Sequence, residues 1–233
     1  MTDDGAYEAD YTGDFAMDVD EAALEERADS LVIDDTVRLL ARENRFALRA
    51  GPASWHPLGG GQGTAVDIPL RCVAHRHPEC RLRWVRVSVD VSGSDGTVLD
   101  LSPKDEVAAE PVKVVTTYGG GLSLDIQAVP LVPLTPELTA ERSREQNVYF
   151  PRLTTSGPSF GAAWWDFHQV GEAPLHVDRD LRLLAGLPAG ATGARLHTVL
   201  RAGVSVRGAL ATVPLVGRRK VRLDVRGLLT DGP

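Results

Sequence analysis

Two short stretches of the chain hold residue types able to do chemistry. The first, RCVAHRHPEC at residues 71–80, brings together Cys72, His75, His77 and Cys80. Two thiolates and two imidazoles are a set that zinc accepts in a tetrahedron. The spacing argues against that use, because successive side chains of a strand point to opposite faces. Cys72 and His75 then diverge, while Leu70, Cys72 and Ala74 form an apolar stripe that reads as a core face. His77-Pro78-Glu79 reads as the turn of a hairpin joining strands at 66–76 and 81–91, from which four ligands would converge only if the alternation broke. The pattern therefore predicts no metal and no cofactor, with Cys72 a small buried hydrophobe and Cys80 a turn residue.

The second stretch, GPSFG at 157–161, satisfies G-x-S-x-G, which in hydrolases exposes a serine on a strained strand-to-helix elbow. The next nine residues, AAWWDFHQV at 162–170, are rich in aromatics and β-prone. The elbow lacks its helix, so the stretch reads first as a turn, and a serine hydrolase using Ser159 with a downstream histidine is the alternative. The glycines of GGGQG (59–63) and YGGG (118–121) lack the Lys-Ser/Thr of a phosphate loop and the spacing of a dinucleotide fingerprint. An enzymatic activity is not the expectation.

Binding chemistry is better represented. In WWDF (164–167), alternation sends Trp164 and Trp165 to opposite faces, so burying one exposes the other unless something covers that face. An exposed Trp beside Asp166 and His168 would stack on a sugar or anchor a protein. Toward the C-terminus Arg195, Arg201 and Arg207 fall on one outward face, joined by Arg222 and Arg226. Such a stripe suits phosphates, yet aliphatic residues rather than stacking aromatics occupy the positions between, which makes nucleic acid an unlikely partner. The chain carries a net −7, but eleven acids and the single base Arg27 lie in residues 1–30, so the remainder is mildly basic. Tyr7, Tyr11 and Phe15 recur at i, i+4 and i+8 within that acidic segment. They supply the apolar part of an interaction in which the segment docks on the arginine face, in the same molecule or a neighbour.

These side chains need a scaffold. Residues 1–19 are too acidic to offset chain entropy and read as a disordered tail. Residues 20–50 read as short helices, the first capped by Asp20 and the second starting after Asp35 or Thr36. GPASWHPLGGGQG, 51–63, reads as a linker. From Thr64 the dominant period is two: Val85, Val87, Val89 and Val91 alternate with polar residues, and Leu196, Leu200, Ala202, Val204 and Val206 with Arg195, His197, Arg201, Ser205 and Arg207. Further strands are expected near 97–101, 111–118, 122–128, 147–154, 162–169, 210–216 and 221–225, while 136–146 fits a helix or a charged edge strand. Residues 64–233 are thus expected to form a mainly β domain, an antiparallel β-sandwich. With no apolar run long enough to span a bilayer as a helix, an acidic N-terminus and two cysteines, the sequence predicts a cytoplasmic, non-enzymatic binding or assembly module, its partner a protein or a second copy of itself, with no membrane involved.

Overall fold

The period-two alternation becomes sheet in the computed structural model, which describes residues 14–26, 34–61, 63–109, 111–118, 124–129, 142–208 and 212–224. Two short strands, β1 (Asp14–Phe15) and β2 (Asp18–Val19), precede the helices α1 (Glu21–Glu25) and α2 (Asp35–Arg42). Then come β3 (Arg45–Ala50), β4 (Ser54–Pro57), β5 (Thr64–His75), β6 (Cys80–Asp90), β7 (Thr97–Ser102) and β8 (Glu106–Val107). The chain continues through β9 (Val112–Tyr118), β10 (Leu124–Val129), β11 (Arg142–Val148), β12 (Pro151–Ser156) and β13 (Ala162–His168). The last three are β14 (Val177–Leu187), β15 (Gly193–Val206) and β16 (Thr212–Asp224).

The fold is a mainly β antiparallel sandwich, as the sequence predicted. One sheet runs β1-β3-β5-β14-β7, with β4 also on β5; the second runs β2-β16-β15-β6-β13-β12-β8. Alternation supplies each inner face. Val85, Val87 and Val89 of β6 and Leu200, Ala202 and Val204 of β15 are wholly buried, and with Ile68, Leu183 and Trp165 they belong to one apolar cluster. A second consequence of strand chemistry appears at Pro69, which has no N–H to give a ladder. β5 pairs with β4 at residues 64–67 and with β3 at 70–75, so the proline sits where the strand changes partner, its carbonyl taken by Gly51 N–H at 2.8 Å.

The first helix begins at the expected cap, Asp20, and the second begins at Asp35, earlier than expected, with Asp34 as its cap. Asp20 accepts from Ala23 N–H at 3.3 Å and Asp34 from Thr36 N–H at 3.1 Å. The segments around them differ from the sequence reading. Residues 45–50 are strand, with Phe46, Leu48 and Ala50 inward, and the expected linker contains β4, whose Trp55 packs on the core. β14 is a long strand whose alternation of Leu181, Leu183, Ala185 and Leu187 is masked in sequence by the adjoining charges Asp178, Arg179 and Asp180.

The acidic N-terminal stretch is also structured from Asp14. β1 lies on the edge of one sheet and β2 on the edge of the other, and Phe15, Met17 and Val19 are all buried in the core. Gly217 of β16 makes room for them, since a Cβ there would stand 2.7 Å from Met17 Sδ and 2.9 Å from Phe15 Cδ1. Asp18 pairs with Arg42 of α2, Nε to Oδ1 at 3.0 Å. The acidic residues thus lie on a strip whose alternate positions are core, so Phe15 is not a docking side chain. Truncation tests this. Emptying a single large buried position costs about 2–5 kcal/mol, so a chain beginning at Asp20 is expected to unfold with a Tm lower by roughly 10 °C or more. An unchanged Tm would show that the strip is not part of the core.

Candidate functional site

The second sheet ends in an unusual edge. β8 is only two residues long and pairs with β12 at Val107↔Pro151 and Glu106↔Leu153, with a shift of register between them. Between these two partners the chain leaves the sandwich and forms a separate three-stranded antiparallel sheet, β10-β9-β11, which among the described residues pairs with neither core sheet. The remaining edge of β12 is capped, because Asp105 accepts from both the N–H and the Oγ1 of Thr155, at 2.7 and 2.8 Å. A carboxylate in that position blocks addition of another strand.

Large apolar side chains gather at the root of this excursion. Val107, Tyr149 and Phe150 are 63%, 56% and 41% exposed, and Ala108 N–H donates to Phe150 carbonyl at 2.9 Å, closing the root. Exposed apolar groups clustered at one place mark a surface that meets something other than water. Beside them opens a cleft of about 180 Å³ lined by Glu106, Arg152, His168, His176 and Arg179 over Leu153, Phe167 and Leu175. Arg179 is ion-paired with Glu106 across it, and His168 Nε2 lies 3.5 Å from Thr154 Oγ1. The sequence reading missed this site; its visible trace was the apolar pair Tyr149-Phe150 immediately before Pro151 in a stretch read simply as strand.

The residues singled out from sequence are distributed otherwise. Cys72 and Cys80 are both fully buried but belong to opposite sheets, Cys72 paired with Leu48 and Arg179, Cys80 with Val206. The expected hairpin of β5 with β6 is therefore replaced by a crossing between sheets, and Cys80 is a core residue rather than part of a turn. His75 points outward, while His77 is fixed locally, its N–H donating to Asn44 Oδ1 at 2.9 Å and its Nδ1 accepting from Glu79 N–H. Among the described residues no three His, Cys, Asp or Glu side chains are grouped to hold a metal.

Ser159 occupies an exposed hairpin turn between β12 and β13, at φ 72°, with its N–H bonded to Val98 carbonyl at 2.8 Å. Gly157 is required there because a Cβ would stand 2.6 Å from Ala163 Cα. The connection runs strand to strand, so the nucleophile elbow is absent and the hydrolase alternative falls with it. Trp164 and Trp165 do diverge: Trp165 is wholly buried, its indole N–H without an acceptor among the described residues, and Trp164 stands half-buried on the solvent face. Arg195, Arg201 and Arg207 are all exposed, but Arg201 Nε lies 3.7 Å from Asp20 and Arg207 Nη1 3.8 Å from Glu79. Arg222 is opposite Arg195 in the ladder; Tyr7, Tyr11 and Arg226 lie outside the described residues. The arginine face is thus interrupted by carboxylates.

No protein-family model matches the chain, and no curated protein does. Among solved structures the chain is similar to the Clostridium perfringens delta-toxin, with 10% identity, 77% of this chain and 82% of that one covered and a TM-score of 0.37. It is similar to the Clostridium perfringens NetB toxin in the membrane inserted form, with 8% identity, 91% and 94% coverage and a TM-score of 0.33. A third structure, described only as a pore forming protein, has 9% identity, 79% and 83% coverage and a TM-score of 0.35. The names of these structures stand against the expectation of a cytoplasmic binding or assembly module with no membrane among its partners, and that expectation is not carried further.

The two thiols provide a check on the interior. Burial, with Asp178 adding to it, pushes the Cys72 thiol up to about 12, and burial also raises Cys80. The thiolate is the reacting form, so Ellman's reagent at mildly alkaline pH is expected to leave both untouched in the native protein and to titrate both after denaturation. A native thiol that reacts as fast as free cysteine would contradict the assigned placement.

Proposed function

We propose that this chain acts on lipid membranes, with the segment spanning residues 112–148 as the part that enters the bilayer and Val107, Tyr149 and Phe150 as the apolar collar that seats the sandwich on its surface. The observation that carries this reading is the excursion itself. It leaves the sheet at a two-residue edge strand, its described residues pair only among themselves, and exposed apolar side chains lie at its root. Release of such a segment leaves the sandwich ladders intact.

Bilayer physics sets the rest. A tilted membrane strand needs about 9–11 residues, and 112–148 is long enough for two arms that each exceed this. Unpaired N–H and C=O groups are costly in hydrocarbon, so open sheet edges do not persist there. The strands of one copy are fewer than the roughly eight that close a barrel. Several copies must therefore complete the structure, and self-association belongs to this reading. Among the described residues no helix is long and apolar enough to cross a membrane, so the spanning element is strand.

The test is dye release from vesicles of phosphatidylcholine with and without phosphatidylserine. Micromolar protein is expected to release the dye with a steeper than linear dependence on its concentration. Burying one large apolar side chain contributes about 1.5–3 kcal/mol, so the double variant Tyr149→Ser, Phe150→Ser should need roughly tenfold or more protein for the same release, with an unchanged Tm because both side chains are exposed. Absence of release from either vesicle would refute the reading.

A further inference from the structure

The solvent face of the second sheet, away from the edge, carries a second constellation. β6 and β13 place Trp164 opposite Ser88, Asp166 opposite Arg86, and His168 opposite Trp84. Alternation puts all six side chains outward, since Val85, Val87, Val89, Trp165 and Phe167 between them are buried. Trp164 and Trp84 thus stand at diagonal corners of the patch, four residues and one strand apart, roughly 14 Å.

Trp84 has an enforced attitude. Its cross-strand partner is Gly203, where an added Cβ would lie 2.3 Å from the indole Nε1, 2.7 Å from Cε2 and 2.8 Å from Cδ1. The ring therefore lies flat over the glycine backbone, and Trp84 stands half-buried on this face. Midway between the tryptophans, Arg86 grips Asp166 through two hydrogen bonds of 2.5 and 2.7 Å. Asp166 is almost covered and Arg86 is 44% exposed, which leaves guanidinium N–H groups facing out of the sheet. The adjacent outward cation, Arg201, faces Asp20. Each charge on this patch has its opposite, so its field is close to neutral.

We propose that this face is a binding platform for a neutral, hydroxyl-rich oligosaccharide. A sugar ring offers an apolar C–H face for an indole and hydroxyls at its rim. Two indole corners, one lying flat over Gly203, are spaced to meet the two ends of a short chain rather than adjacent rings, and Arg86, His168 and Ser88 lie between them to receive hydroxyls. The paired charges fit a neutral ligand rather than a phosphate. The platform stands on the broad face of the second sheet and uses none of Val107, Tyr149 and Phe150, although His168 at its corner also lines the cleft beside them.

The test is titration of the full chain with maltotriose, cellotriose, mannotriose and triacetylchitotriose, read by tryptophan fluorescence and by calorimetry. Saturable binding of at least one trisaccharide is expected, weakened about tenfold in Trp164→Ala and in Trp84→Ala, and insensitive to salt because no net charge is involved. Trp84→Phe keeps a ring over Gly203 and should retain most of the affinity, which separates lost stacking from lost folding. The Tyr149→Ser, Phe150→Ser variant should bind the sugar normally, so failure of the platform and failure of the membrane reading are distinguishable. No binding at millimolar trisaccharide, binding unchanged in both alanine variants, or binding abolished by moderate salt would each overturn the proposal.

Discussion

The ladder between β6 and β15 is the interaction on which the rest of the molecule depends. It runs from His197↔Asp90 to Val206↔Cys80 with one shift of register at Gly203/Val204. Its inner face supplies a long row of fully buried side chains, aliphatic except for Thr198 and Cys80, and burial of apolar area is the dominant favourable term in folding. Because side chains alternate with a period of two, fixing the inward set fixes the outward one. Arg86, Trp84, Arg201 and Gly203 are brought together on the solvent side by the register that buries Val85, Val87, Leu200 and Ala202. β16 and β13 then add to the two free edges of this pair, and β12 with β8 extend it to the root of the excursion.

Charge is arranged to be cancelled locally. Asp18, Asp20 and Glu21, which contribute to the acid excess of the N-terminal stretch, face Arg42, Arg201 and Arg38 of the body. On the first sheet Asp67 forms a two-point pair with Arg182 across the ladder, which holds its carboxyl below the usual range, and Arg71 pairs with Asp178. Exposed pairs of this kind contribute about 0–1 kcal/mol each. Their main effect is orientation: they set the direction of outward side chains and leave the sheet faces without a large field of one sign.

Two regions of the surface add exposed or half-buried large apolar groups to this pattern. At the β8–β12 edge, Val107, Tyr149 and Phe150 lie at the root of a segment whose described residues pair only among themselves, while Asp105 closes the neighbouring strand edge against unwanted pairing. On the open face of the second sheet, indole rings flank a bound ion pair. The first combines a detachable sheet with a greasy rim; the second is a rigid, flat and neutral patch.

Much of the architecture was legible from local pattern. Alternation in β6, β15 and the strand around Trp165 announced an antiparallel sandwich, Asp20 announced a helix start, and GPSFG announced a turn, because each of these properties depends on neighbours within a few residues. What tertiary structure decided were the partners. Nothing local distinguishes a hairpin between β5 and β6 from a crossing between sheets, so Cys80 was expected in the turn of a hairpin and is instead buried on the sheet opposite Cys72. Acid density disguised Phe15, Met17 and Val19, whose burial depends on a notch at Gly217 some two hundred residues away. The cleft draws on Glu106, Arg152, His168, His176 and Arg179, and the platform on Trp84, Trp164 and Gly203, sets scattered along the chain that only the pairing of distant strands assembles. The sequence by itself thus determined which segments are strands and which side of each is apolar. The selection of strand neighbours, and with it every candidate site, was settled by the packing of distant apolar faces into one core.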